Sequence, residues 1–458
     1  MLGILICVGL LTLLLHRLIL APLLFGPLSR LPGPKIYALT KWRLARDDWG
    51  QRTRCIHDLH KQYGPVVRVG PNEVHFNSVT ALRTIYGAGS GFERTAFYSM
   101  FDVYGKKNLF TFSTVAEHAK RKRLLAHAYS KSAIFKSHPA AIVREKIQDF
   151  LQMVDSTPRS KSLEIFAALH YYSIDVISTF VYGTADFGAT TALRSTPSHV
   201  RLLGDIMDHS RRRLAWFAVH MPALTSWMYT RTGMMEKLIK PILPMQKPAT
   251  YTAIRTHALN AMQSYRHATH DSRLKAEESI IARLWKVKTD MGLDDLDIAS
   301  ECADHLLAGI DTTSDTLMFL IWAVSRPSHA HIQRKLIEEC KNIDDKAVNN
   351  GVVDLDVADR LPYLNAVIKE TLRLYAPLPA SEPRSSPTDM LIDGYNIPRG
   401  TICSMAPYSL HRNPDVFPDP LTWQPERWLK DDDDPALIAM KKWWWSFSSG
   451  ARMCIGMQ

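Results

Sequence analysis

The chain has 458 residues, 46% of them hydrophobic, and a formal net charge of +11, enough to bury one large core or two smaller ones. The charge favours acidic partners or anionic lipid, but no zinc-finger, homeodomain or RNA-binding signature accompanies it, so no nucleic-acid role is expected. The six cysteines (Cys7, Cys55, Cys302, Cys340, Cys403 and Cys454) include no C-x-x-C pair. That excludes a disulfide framework, a structural zinc site or an iron–sulfur cluster, and a reducing compartment fits.

Met1–Leu15 is a nearly unbroken apolar run, interrupted at His16-Arg17 and resumed as Leu18–Phe25. Residues 1–25 together suit one bilayer crossing, with Arg17 snorkelling or at the interface. No basic region precedes the apolar core and no clear small-x-small site follows it, which argues against a cleaved signal peptide. Arg30, Lys35, Lys41 and Arg43 follow, and the positive-inside rule keeps the bulk of the protein cytosolic. Residues 26–35, with Leu31-Pro32-Gly33-Pro34, read as a stiff hinge. Residues 36–458 are then the folded domain.

Tyr63–Phe76 has two β-prone runs around a Gly-Pro-Asn turn and predicts a hairpin. Phe92–Phe112 is rich in aromatic residues (Phe92, Phe97, Tyr98, Phe101, Tyr104, Phe110 and Phe112), most of them expected to pack on the core. Glu117–Tyr129 predicts a helix with a basic face from Lys120 to Arg123. From Ile134 to about Asp290 the chain reads as mostly helical. Within it, Arg211–Arg213 beside Leu214–Val219 suits a membrane surface or a solvated helix face equally well.

Ile298–Val324 predicts a long apolar helix that carries Ala308-Gly309-Ile310-Asp311-Thr312-Thr313. Polar residues inside a buried helix need a reason. The threonines can bond back to carbonyls one turn earlier and bend the helix. Alternatively, the small Ala308-Gly309 pair admits a ligand against the backbone, while Asp311 and Thr312 pass protons to it. Leu361–Tyr375 predicts an amphipathic helix with Leu364, Val367, Ile368, Leu372 and Tyr375 on one face, stopped by Pro377. Glu370 and Arg373 are neighbours on it. Arg384 and Arg427 follow, and Asp393–Thr401 predicts a second hairpin.

The most informative stretch is Trp443–Gln458. Phe447, Gly450, Arg452, Cys454 and Gly456 stand in an F-x-x-G-x-R-x-C-x-G frame. A single cysteine there suits the thiolate ligand of a haem iron, which favours O–O cleavage. The glycines let backbone approach a flat macrocycle, Arg452 can meet a propionate, and Phe447 can shield the sulfur.

This frame resembles the haem-binding loop of the cytochrome P-450 family, and the resemblance runs from the N-terminal anchor to the cysteine. It implies a mainly α fold with small β-sheets (α+β), preceded by a transmembrane helix and holding heme b. It places the aromatic stretch over the substrate pocket. It places His118 and Lys122 where the family has W-x-x-x-R, so both rank below Arg452 as propionate donors. Arg384 is a further propionate donor. Ala308, Gly309, Asp311 and Thr312 match A-G-x-D/E-T, implying oxygen binding and proton delivery. Glu370 and Arg373 match E-x-x-R, a buried structural pair that Arg427 joins to brace the cysteine loop. The resemblance further implies a monooxygenase acting on O2 and a small apolar substrate in the endoplasmic reticulum membrane. Electrons would come from NADPH through a flavoprotein reductase docked on the Lys120–Arg123 face, with cytochrome b5 as a second donor. The branch resembled is fungal and serves secondary metabolism or detoxification, so terpenoid, polyketide or fatty-acid-like substrates are expected. Relatives continue past the cysteine into a long helix and a small β region, whereas this sequence has four residues after Cys454. A second expectation is therefore a truncated relative that anchors to membrane and binds haem or reductase without turnover. A third, isomerisation or dehydration without O2, is disfavoured by the Asp311-Thr312 pair.

Overall fold

The structure is a computed structural model and describes residues 2–47, 51–135, 138–158, 160–204, 221, 224, 234, 238 and 252–457. The Arg211–Arg213 stretch, with Leu214–Val219, lies outside these residues.

Helix α1 (Leu2–Leu15) continues as a π-type coil over His16–Phe25 that contains Pro22. Gly3–Phe25 has a mean hydropathy of 2.4 and is wholly unburied, so it is long and apolar enough to cross a membrane. Two further helices, Ile165–Tyr182 and Asp295–Ser325, are also long enough, at a lower mean hydropathy of 1.2, but they pack against each other in the core.

The segment after the span is tied to the globule. Leu28 and Leu31 are buried in the sheet's core. Arg68 donates to the carbonyls of Pro22 (2.7 Å), Leu28 (3.1 Å) and Pro71 (2.7 Å), and its own N–H donates to Pro32. Gly33, at φ +134°, lets the chain pass so close that a Cβ would stand 2.8 Å from the Arg68 carbonyl. Replacing Arg68 with Ala should free this joint. A loss of about 1.4 kcal/mol multiplies a locally open population about tenfold, so proteolysis within residues 26–35 should accelerate by that factor. An unchanged cleavage rate would contradict the clamp.

The main sheet has five strands: β1 (Val66–Gly70), β2 (Glu73–Phe76), β3 (Glu93–Arg94), β4 (Arg384–Ser385) and β5 (Ile402–Ser404). Their spatial order is β1-β2-β5-β4-β3. β1 and β2 form the predicted hairpin, β2 runs parallel to β5, and the remaining pairs are antiparallel. The second hairpin is displaced from the predicted span. Its strands are Met390–Ile392 and Tyr395–Ile397, around Asp393-Gly394, where both residues have positive φ. An Asp-Gly pair favours that two-residue turn; the Arg399-Gly400 turn then leads into β5.

The helical core joins α2 (Val115–Leu125), α3 (Ile165–Tyr182) and α4 (Asp295–Ser325) with the helices Thr252–His267 and Ile280–Lys286. Thr114 caps α2 by accepting the Glu117 N–H. A reciprocal capping box of Asp294 and Asp297 starts α4. Helix α2 ends at Leu125, before the predicted Tyr129. Helix α5 (Pro362–Leu374) starts with Pro362 in its first turn. Its buried side is not the apolar stripe alone: Ile368 is exposed, while Glu370 and Arg373 are buried. The polar pair is packed inside because it meets partners from the loop after residue 410.

Candidate functional site

The Cys454 loop follows a short 3-10 turn, Gly450–Arg452. The Cys454 N–H closes it on the Phe447 carbonyl at 2.9 Å. Gly450 has φ +63°, and a Cβ there would collide with the Tyr86 carbonyl oxygen. Only glycine permits that approach. Gly456 has open space around it instead. Cys454 is exposed, yet surrounding protein raises its thiol through burial, opposed by the Gly456 N–H and the Lys122 ammonium.

Three parts of the chain bring basic groups to this loop. From α2, Lys122 donates to the carbonyls of Ala451 (3.1 Å) and Met453 (2.8 Å), and His118 is buried beside it. Arg452 donates to Phe112 (2.6 Å), Ser113 (2.8 Å) and Thr114 (2.9 Å), pinning the loop to the start of α2. From the sheet, Arg384 donates to the Tyr98 hydroxyl at 2.6 Å and to Glu382 at 3.1 Å. Arg94, not anticipated from the sequence, lies over the rings of Tyr98 and Phe110 at 4.5 and 4.6 Å. The β3–β4 register sets Arg94 directly opposite Arg384. Like charges in that position repel.

The electrostatic result is a half-buried basic cluster, with Arg384 buried and Arg94, Lys122 and Arg452 partly exposed. Burial, reinforced by Arg452, Arg94, Lys122 and Arg384, pulls His118 down to about 3. Burial, then Arg94 and Arg384, lowers Arg452 to about 9. Burial lowers Arg94 to about 10. The Nε atoms of Arg94 and Arg452 are buried with no hydrogen-bond partner. Glu382 is the carboxylate hydrogen-bonded to the cluster, and it also accepts from Ser448. Buried charge of one sign is costly unless an anion joins it. The arrangement therefore suits a ligand that brings carboxylates.

On α4, Ala308 is exposed, whereas His305 and Leu306 in the preceding turn are buried, so the helix surface is open at Ala308. Gly309 does not share that face: a Cβ there would stand 2.5 Å from Ile177 of α3. Its smallness serves helix packing, contrary to the expectation that both small residues admit a ligand. The Thr312 hydroxyl donates to the Ala308 carbonyl at 2.7 Å. Asp311 turns toward α3, its Oδ1 3.5 Å from His170 Nε2. The Phe447 ring packs on Trp444 at 5.8 Å between centroids.

The expected basic face on α2 is divided. Lys120 and Arg123 are exposed, whereas Arg121 is buried in an ion pair with Glu301 and Lys122 reaches the cysteine loop. Below the loop, Arg373 grips Glu370 through two bonds of 2.8 Å. Arg427 (3.0 Å), Trp428 (2.9 Å) and the Gln424 N–H (2.9 Å) donate to the same carboxylate. Arg373 also donates to the carbonyls of His411, Pro420 and Thr422. Trp445, next to the cysteine frame, donates its N–H to His411 at 2.8 Å.

The comparisons with known proteins agree on one family. The profile described as Cytochrome P450 matches residues 31–458. Cytochrome P450 monooxygenase hkm5 of Aspergillus hancockii is 30% identical over 444 residues, 95% of this chain and 82% of the relative. Cytochrome P450 monooxygenase stcB of Emericella nidulans is 29% identical over 451 residues, 94% of this chain and 79% of the relative. Pisatin demethylase of Fusarium vanettenii is 24% identical over 445 residues, 94% of this chain and 80% of the relative. With the cysteine loop, the long central helix and the small sheets in one fold, this chain belongs to the cytochrome P450 family.

Proposed function

We propose that the chain is a membrane-anchored haem-thiolate monooxygenase acting on a small, largely apolar substrate in fungal secondary metabolism or detoxification. The observation that carries this reading is the set of buried and half-buried basic groups around one accessible thiol. Arg94, Arg384 and Arg452, with Lys122 and His118, have too few carboxylates of their own, and two Nε donors stand unpartnered. The two propionates of heme b match that deficit. Among the described residues no cluster of three or more His, Cys, Asp or Glu could hold a bare metal ion, which suits a cofactor needing one protein ligand. When bound, heme b would supply the activation of O2, with electrons from an NADPH-dependent flavoprotein reductase.

The chain's own residues would do the rest. Cys454 would hold the iron, with the Gly456 N–H and the Lys122 charge favouring its thiolate form. Arg452 would link a propionate to the start of α2, which it already holds. Thr312 would release the Ala308 carbonyl and turn its hydroxyl to the open surface beside Ala308, where it can orient water. Asp311, beside His170, would return protons to that hydroxyl. Glu370, Arg373 and Arg427 would brace the loop without taking part in chemistry. Lys120 and Arg123 remain on the surface to steer an acidic reductase, or cytochrome b5, toward the cysteine side. Residues 1–25 would anchor the protein in the endoplasmic reticulum membrane, with residues 26–35 as the joint and 36–458 as the cytosolic catalytic domain.

Thr312→Ala tests the proton assignment. Product formed per electron consumed should fall at least about tenfold, with haem content unchanged. An unchanged ratio would remove Thr312 from the relay.

A further inference from the structure

Three buried polar residues on and beside the first half of α4 take no part in the chemistry described above. Glu301 and His305 stand one turn apart on α4, and Tyr129 lies in the turn that follows α2. Glu301 is fully enclosed, His305 is 6% exposed and Tyr129 8%. The Tyr129 hydroxyl meets His305 Nδ1 at 2.6 Å, and the two rings stack with centroids 5.4 Å apart. His305 Nε2 lies 3.4 Å from Glu301 Oε1. Glu301 is also held by Arg121 and accepts the Leu109 N–H at 3.0 Å. Tyr129 belongs to the helical core against which Ile455, next to Cys454, also packs.

The network fixes the direction of each proton. An ionised Glu301 only accepts, so the imidazole presents Nε2–H to it and leaves Nδ1 to accept the Tyr129 O–H. Phenol, imidazole and carboxylate then stand in line, and among the described residues His305 is the one hydrogen-bond partner of the hydroxyl. No substrate can reach so enclosed an oxygen. Transfer of the proton alone would strand a phenolate, which burial strongly disfavours. Loss of an electron together with the proton leaves instead a neutral phenoxyl beside an imidazolium that Glu301 faces. Burial opposes the first change and not the second. Tyr182, fully buried in the same core, has among the described residues no partner for its hydroxyl and so no such exit for its proton.

We propose that Tyr129, His305 and Glu301 form a redox-active tyrosine site. When a haem-centred one-electron oxidant forms at Cys454 and meets no oxidisable substrate, Tyr129 gives it one electron and the phenolic proton moves to His305 Nδ1. The oxidant is reduced by one electron, Tyr129 becomes a neutral phenoxyl radical, and His305 becomes an imidazolium opposite Glu301. One electron from the reductase and the return of the proton restore the phenol. The source of the oxidant rests on the haem-thiolate reading, whereas the proton path rests on the Tyr129–His305–Glu301 geometry. The site spares the thiolate from oxidation in unproductive cycles.

Two oxidants applied to the haem-loaded full-length chain test the site, with radicals trapped by freeze-quenching and read by electron paramagnetic resonance. Peracetic acid oxidises through the haem, and photogenerated tris(bipyridine)ruthenium(III) oxidises without it. With either, the wild type should give a tyrosyl component that is absent from Tyr129→Phe and retained in Tyr182→Phe. In His305→Phe, which keeps a ring in place and removes the base, that component should form at least about tenfold more slowly. Identical signals from the wild type and Tyr129→Phe, or formation at the wild-type rate in His305→Phe, overturn the site. A carbon monoxide difference spectrum of the same samples separates the two readings. A thiolate-type spectrum with no Tyr129 component under either oxidant removes the tyrosine site alone. The component under ruthenium(III) without that spectrum removes the haem-thiolate reading alone. A thiolate-type spectrum with the component under ruthenium(III) and not under peracid overturns the transfer between Tyr129 and the Cys454 site.

Discussion

Replacing Glu370 with Ala is expected to destabilise the folded chain by about 3–5 kcal/mol. A surface pair of this type would contribute at most about 1 kcal/mol, but Glu370 and Arg373 are both 0% exposed. One carboxylate accepts from two arginines, an indole and a backbone N–H. Its removal strands two buried guanidinium groups that also hold the carbonyls of the 411–422 segment. The expected readout is a large drop in the denaturant midpoint, accompanied by loss of haem because His411 links this segment to Trp445. A shift below about 1 kcal/mol would mean that the network is not the brace described here.

Cys454→Ser should have the largest effect on activity and a small one on the fold. Monooxygenase turnover should fall by at least about a thousandfold, because a hydroxyl does not replace a thiolate that pushes electron density onto iron. Stability of the haem-free chain should change by less than about 1 kcal/mol, since the side chain is exposed and occupies no packed core position. Turnover within tenfold of the wild type would show that another residue holds the cofactor.

These two predictions rest on motifs whose members are close in sequence, which is why they were legible before the structure. Glu370 and Arg373 are one helical turn apart, and the Phe447–Gly456 frame is a single loop. The apolar periodicity of α4 and α5 and the turn before β2 were readable for the same reason. Side-chain direction was less accessible. Ala308 and Gly309 are adjacent, yet one is exposed and the other packs on Ile177, a contact made by a distant helix. Asp311 and Thr312 likewise diverge, toward His170 and the Ala308 carbonyl. Within Lys120–Arg123 the consecutive charges split between solvent, Glu301 and the cysteine loop. Arg94 was missed because its importance comes from strand register: only the pairing of β3 with β4 sets it opposite Arg384. The one local signal was an arginine standing alone in an aromatic run. The displaced hairpin had a sequence signal, Asp393-Gly394, that belonged at the turn rather than at the start of a strand pair.

The central claim is that Cys454 presents a thiolate to a haem held by the surrounding basic groups. The most direct test is the carbon monoxide difference spectrum of the reduced, full-length, haem-loaded chain. A strongly red-shifted Soret band, absent in Cys454→Ser, is the result predicted. A band typical of a neutral axial ligand, or of free haem, would contradict the claim.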